Sequence, residues 1–331
     1  MALIFMDGFD HYSSLGDFWD DPGNDTAIRL NTGQARTGIG CLQINSAAFG
    51  PLKAFAQMND VLFCTNWNSS ANGRVFDFLV TDNPGVVIQV RVYVKADGSI
   101  EFADSDTGPV IATTVAGLVV FGVYVSIAVR IQGVPIGTVT CWVNGVQVFQ
   151  QAGLQTGYHA GHDYINGIRL MAPGGTPNCF HDDVYVLDCA TAPHQTFLGA
   201  LKLYAIAPTA NGAVAWTPLA GSNWSEVNEI PPDGNTSYNS SANIGDVDQY
   251  VYPLTGVPAN SALVMVQHDL DMEVDSGSRS VASDLNGIVG TPVALPVGYH
   301  IYPAPYDVNP STGVAFVTGD FPIQAGPKVT A

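Results

Sequence analysis

Short apolar stretches alternate with polar or small residues along most of the chain, and Gly, Asn, Asp or Pro stands at the joins. That rhythm predicts short strands and turns; helical periodicity is almost absent. Residues 3–10 predict a first strand and 38–44 a second. Residues 75–80 and 86–94 follow, and Asp97-Gly98 supplies the positive φ of a tight turn before a return strand at 99–103. Further on, 123–130 predicts a buried strand and 137–143 an alternating one, with Val139, Cys141 and Val143 on one face and Thr138, Thr140 and Trp142 on the other. Asn144-Gly145 makes a hairpin turn to 146–150, and 165–171 and 180–187 complete the series.

The texture changes after Thr191-Ala-Pro-His-Gln195, which reads as a linker. Longer loops and acidic strands succeed it. At 331 residues the chain has room for two cores, and the predicted domains are 1–192 and 197–331.

Composition narrows the functional classes. Eleven Lys and Arg stand against 29 Asp and Glu, a formal charge of −18, and Arg29, Arg36, Lys53, Arg74 and Arg91 read as scattered. Nucleic-acid binding needs clustered basic charge and is not expected. The apolar run 115–129 is shorter than the ~20 residues that cross a bilayer, so no membrane insertion is expected. The N-terminus has no basic segment and meets Asp7 early, so no secretion signal is expected. Five cysteines, Cys41, Cys64, Cys141, Cys179 and Cys189, form no paired motif and read as buried thiols, which fits assembly in a reducing cytoplasm.

A set of ordered segments carries a resemblance: Asp7-Gly-Phe-Asp-His-Tyr12, Gly38-x-Gly-Cys-Leu42, Asp97-Gly-Ser-Ile100, Gly137-Thr-Val-Thr with Val143-Asn-Gly145, and Asp182-Asp-Val-Tyr-Val-Leu-Asp188. Their succession resembles the concanavalin A-like, or laminin-G-like, jelly-roll β-sandwich found in virion proteins of tailed bacteriophages. The remainder, including Pro310-Ser-Thr-Gly-Val-Ala-Phe316, resembles the β-rich module that often follows it, with Phe316 where related chains usually carry Trp. The resemblance implies an all-β chain, a sandwich followed by a smaller β-rich domain, and pairing of the last sandwich strand with the first. It also implies a non-enzymatic structural component of the virion, on tail or head, assembled in the host cytoplasm. Copies of itself, other virion proteins and host-surface glycans are the implied partners. The alternatives are a lectin-like adhesin and a glycosidase of concanavalin A-like fold.

Candidate chemistry is sparse. Alternation sends Asp182 and Asp183 to opposite faces, so the two cannot act on one bond. Each is either bonded to loop amides or, with Asp7 and Asp10 brought alongside by the implied strand pairing, a ligand of a structural calcium. Asp269-Leu-Asp-Met-Glu273 resembles the acidic strand of glycosidases, where i, i+2 and i+4 line one cleft. Here the first acid is Asp269 rather than Glu and the segment lies outside the sandwich; with Asp275 it reads as the wet face of a strand opposite Leu270, Met272 and Val274. His159 and His162 lack a third metal ligand and read as loop residues. No nucleophile elbow or phosphate loop occurs, and no catalytic residue or organic cofactor is expected. Among Trp19, Trp67, Trp142, Trp216 and Trp224, Trp142 is the candidate sugar platform, the alternative being a sealed sandwich edge.

Overall fold

A computed structural model describes residues 3–12, 14–22, 28–45, 49–83, 85–104, 108–157, 161–173 and 179–331. His159, Gly174 and Gly175 lie outside the described residues. The chain is all-β. It divides into two compact units, Met1–Phe9 with Trp19–Leu203, and Asp10–Phe18 with Tyr204–Ala331. The division falls at 203/204, so the segment 197–203 counts with the first unit, and Asp10 counts with the second.

Among the described residues the first unit carries fourteen strands. They are β1 (Leu3–Asp7), β2 (Ile28–Asn31), β3 (Cys41–Ile44), β4 (Phe49–Met58), β5 (Asp60–Ser69), β6 (Gly73–Asn83), β7 (Gly85–Val94), β8 (Ile100–Ala103), β9 (Val110–Thr113), β10 (Val125–Gln132), β11 (Ile136–Val143), β12 (Val146–Gln155), β13 (Ile165–Met171) and β14 (Cys179–Asp188). One sheet runs β12-β11-β10-β5-β14-β3-β2 with β1 also on β14, and the other runs β4-β13-β6-β7-β8-β9. Phe63 of β5 meets Phe76 of β6 with ring centroids 4.6 Å apart, and Phe102 of β8 meets Phe149 of β12 at 5.5 Å, so the two sheets face each other as a sandwich. Alternation explains the core. Val90, Val92 and Val94 of β7 and Val139, Cys141 and Val143 of β11 all point inward and are buried. All five cysteines are buried thiols outside any disulfide.

The last strand pairs with the first, Asp7 opposite Val184 and Phe5 opposite Val186. On its other side β14 pairs with β5, and there the register slips between Asp182 and Tyr185, with Asp183 at a φ of 47°. This is a β-bulge, one extra residue opposite its partner strand.

The second unit continues with β15 (Ala210–Val214), β16 (Thr217–Pro218), β17 (Asn239–Ser240), β18 (Asp248–Tyr252), β19 (Val266–Met272), β20 (Ser280–Leu285), β21 (Ile288–Val289), β22 (Val293–Ala294), β23 (His300–Tyr306) and β24 (Ile323–Val329). Its main sheet runs β15-β18-β24-β20-β21, while β19 pairs with β23. Phe316 is buried with Leu285, Tyr306, Ile323 and Ala325. Gly326 lies where β24 crosses β18, and a Cβ there would stand 1.7 Å from the Asp248 carbonyl oxygen. Backbone cannot swing aside as a side-chain tip can. Gly326→Ala is therefore expected to destabilise the second unit by about 3 kcal/mol or more; a thermal unfolding curve superimposable on that of the wild type would refute this close approach.

Candidate functional site

The outward positions of the six-stranded sheet carry charged side chains, and Asp77, Arg91 and Arg169 among them are buried. On β7 the inward valines alternate with Gln89, Arg91 and Tyr93; on β6 the inward Phe76 and Phe78 flank Asp77. Antiparallel register then sets residues side by side. Asp77 lies opposite Arg91 on one side and Arg169 on the other. Arg169 pairs in turn with Leu52, and Leu52 bridges to Asp21. Arg91 pairs with Ala103. One continuous rung therefore reads Asp21, Leu52, Arg169, Asp77, Arg91, Ala103. A neighbouring rung reads Arg74, Tyr93, Glu101, Thr113.

Asp77 is the hub of this face. Its side chain is 1% exposed, and Arg91 Nε lies 3.6 Å from Oδ1. Among the described residues neither of its oxygens receives a hydrogen bond. Burial pushes its carboxyl upward, opposed by the charges of Arg74, Arg91 and Arg169. Burial likewise holds the guanidiniums of Arg91 and Arg169 below their ordinary range, against the pull of Asp77 and, for Arg169, of Asp21. Arg169 Nη2 stands 3.6 Å from Asp21 Oδ2. Gln89 is fully buried and donates to the carbonyls of His162 (2.7 Å) and Tyr164 (3.4 Å), fixing that loop at the edge of the face. Tyr93 accepts from Asn72 at 3.4 Å and lies under Lys95 Nζ, 5.6 Å from the ring centroid. Three arginines from separate strands, Arg74, Arg91 and Arg169, thus share one face.

The carboxylates singled out from the sequence are arranged otherwise. Alternation would separate Asp182 from Asp183, but the bulge turns both toward the same loop. Asp182 Oδ2 accepts from the amides of Arg36 (2.6 Å) and Thr37 (3.2 Å), and Oδ1 from the Asp183 amide (2.7 Å). Asp183 Oδ2 accepts from Arg36 Nη1 and Thr37 Oγ1, and Oδ1 from the Leu203 amide. Both side chains are fully buried. Burial and mutual repulsion push Asp182 up to about 8; burial raises Asp183 too, with Leu203 and Arg36 pulling it back. Asp7 serves a different corner, accepting from the Phe9 amide at 2.7 Å and from Trp19 Nε1 at 2.8 Å. Among the described residues no group of three or more His, Cys, Asp and Glu is placed to hold a metal ion.

Trp142 stacks on Phe197, ring centroids 5.3 Å apart, which takes one face of the indole. In the second unit β19 buries His268, Leu270 and Met272 and leaves Asp269 and Asp271 half exposed. Asp269 lies 3.4 Å from His11 Nε2; burial, Asp17 and Glu273 together raise Asp271 to about 6.

No family model matches the sequence, and no curated protein matches it. The chain is similar in structure to the endo-β-1,4-glucuronan lyase of the fungus Trichoderma reesei, at 11% identity and a TM-score of 0.41, over 56% of this chain and 95% of that one. It is similar to an alginate lyase, Aly36B, solved as a mutant with alginate trisaccharide: 13% identity, TM-score 0.35, 50% of this chain and 86% of that one. A Trypanosoma rangeli sialidase mutant with trans-sialidase activity matches at 8% identity and TM-score 0.37, over 56% of this chain and 30% of that one. These likenesses correct the expectation of a non-enzymatic virion component, because the neighbours are carbohydrate-active enzymes and none of these three is a virion protein.

Proposed function

We propose that the chain is a carbohydrate-active protein that takes an acidic polysaccharide across the outer face of its six-stranded sheet. The observation that carries this reading is the charged rung: three of the eleven basic residues of a chain with net charge −18 gather around Asp77. Arg74, Arg91 and Arg169 share this face with Asp77 and the half-exposed Asp21, and Glu101 stands on the rung of Arg74. Guanidinium forks bind carboxylates through two parallel hydrogen bonds, and burial strengthens such bonds. Arg169 and Arg91 sit two strands apart, roughly 10 Å at the backbone, which suits successive charged units of a polymer better than one small anion. Tyr93 adds an aromatic surface for sugar C–H groups. A nucleic acid is a poor occupant, since the acidic remainder of the surface repels so dense a polyanion.

Tyr93 lies directly across from Arg74, and this favours a second reading, eliminative cleavage. An arginine that neutralises a uronate carboxylate makes the C–H beside it easier to deprotonate; the Tyr93 oxygen, as phenolate, takes that proton while the bond to the leaving glycosidic oxygen breaks and the ring double bond forms, and the phenol then passes the proton to the departing oxygen. Alginate and glucuronan, the polymers that name two of the structural neighbours, are suitable probes, with a neutral β-glucan as control. Calorimetric titration is expected to show binding to an acidic polymer and none to the neutral one. Growth of ultraviolet absorbance from an unsaturated product would add the cleavage reading. Equal affinity for the neutral glucan would overturn the proposal.

A further inference from the structure

We propose that residues 197–203 form a strap that lifts from the outer face of the eight-stranded sheet while the sandwich stays folded, driven by charge on the aspartate pair beneath it. Register sets Trp142, Ala128, Cys64 and Tyr185 side by side across β11, β10, β5 and β14, and cross-strand neighbours share a face. Trp142 points away from the core, opposite to the inward Cys141 and Val143, so the whole rung does. Cys64 and Tyr185 are nevertheless fully buried, and the strap is bonded over this rung. Phe197 stacks on Trp142 at 5.3 Å, and the Tyr185 hydroxyl donates to the Gly199 carbonyl at 2.9 Å. Arg36 Nη1 donates to the Leu201 carbonyl at 2.9 Å, and the Leu203 amide to Asp183 Oδ1 at 2.7 Å.

The way the strap is held lets it leave. It contains no strand, so no backbone ladder ties it to the sheet, and each of its residues is exposed or half-buried. Such segments open locally at less cost than the whole domain. Beneath it Asp182 and Asp183 are fully buried, and together they exceed the single charge of Arg36 when both are ionised. Tyr124, Cys41 and Cys64 stand around the pair, with Tyr185 on the same strand, Asp7 on the neighbouring β1 and the exposed Lys202 on the strap. Lifting the strap admits water to the pair and so favours the ionised form. Asp182, raised to about 8 by burial and by Asp183, keeps its proton under the closed strap at neutral pH, and opening increases as pH rises through that value. What opens is the indole face that Phe197 covers.

The test is alkylation of the native chain by iodoacetamide, with the rates at Cys64 and Cys141 read by peptide mass spectrometry and divided by those of the urea-unfolded chain at the same pH. Cys64 lies under the strap and Cys141 in the core, so the first reports local opening and the second global unfolding. Cys64 is expected to react faster than Cys141, and about ten-fold faster at pH 9 than at pH 7, the gain that linkage gives a group titrating near the middle of that range. Asp182→Asn is expected to remove this pH dependence. Phe197→Ala, which removes the stack on Trp142 and alters no group beneath the strap, is expected to speed Cys64 about two- to ten-fold at pH 7 and to leave Cys141 unchanged. Equal rates at Cys64 and Cys141 would mean that the strap opens only with the sandwich, and would overturn the proposal. A Cys64 rate unchanged by Phe197→Ala, or flat between pH 7 and pH 9, overturns it as well.

Discussion

Arg169→Gln is expected to weaken binding of an acidic polysaccharide roughly 10- to 100-fold and to flatten its dependence on salt. The magnitude follows from the loss of charge-assisted hydrogen bonds to one carboxylate, about 1.5–3 kcal/mol. The flattening follows because one fewer cation acts on the polymer, and that part of the affinity is what salt screens. Glutamine is chosen so that the variant folds: Asp77 retains Arg91 at 3.6 Å. Arg91 is the harder position, since its loss would leave Asp77 buried beside fewer cations. There the informative change is the pair Arg91→Leu with Asp77→Leu, which removes both charges from opposed positions and is expected to fold while binding as weakly as Arg169→Gln. Calorimetric titration at two salt concentrations checks both. Undiminished affinity in Arg169→Gln would remove the outer face of this sheet from consideration as the glycan site.

Arg36→Met is expected to destabilise the first unit by about 3 kcal/mol, and by more at pH 8 than at pH 5. Arg36 is the cation beside two fully buried carboxylates, and it also donates to the Leu201 carbonyl at 2.9 Å. Removing one partner from a buried ion pair leaves charge without compensation. The pH dependence has a definite sign. Burial, together with repulsion between the two carboxylates, raises Asp182 to about 8, so the folded chain keeps a proton that the unfolded chain releases near its ordinary carboxylate range. The stability associated with that proton is complete below the ordinary range and is lost as pH rises through about 8. Without the arginine both carboxylates become harder to ionise, so the loss on going from pH 5 to pH 8 grows. Urea unfolding at the two pH values measures it, and Asp183→Asn added to Arg36→Met is expected to recover part of the deficit at pH 8. A deficit equal at both values would refute this account.

Much of the architecture follows from alternation alone. In 137–143 and 86–94 apolar residues, mostly valines with Cys141 and Ile88 among them, recur at every second position, a sheet buries one face, and these are β11 and β7. Asp97-Gly98 and Asn144-Gly145 mark turns because few other residue pairs tolerate a positive φ there, and Asn144, Gly145 and Gly98 all adopt one. The acidic strand Val266–Met272 also buries the expected face. Strand β5 escapes the same reading. Nearly every residue from Val61 to Trp67 is buried, because the strand lies between β10 and β14 with both faces covered, and no alternation survives.

The candidate site was only faintly legible. Gln89, Arg91 and Tyr93 alternate with valines, which is a sign of a polar outer face, yet nothing local brings Arg74, Asp77, Arg169 and Asp21 beside them. Register does that, across separate strands and a bridging loop. At Asp182 and Asp183 the sequence misleads outright, because period-two geometry assumes an unbroken ladder and a single bulged residue reverses the direction of one side chain.

The sequence by itself determined that the chain is all-β, where many of its strands and hairpins lie, and that it carries a large excess of acid. Those are properties of neighbouring residues and of sums over the chain. Only the tertiary structure decided that a few of its cations meet around one buried aspartate, and that two adjacent aspartates turn together onto one arginine. Both depend on which strands lie side by side and in what register, and that is set by long-range pairing rather than by any local run of residues.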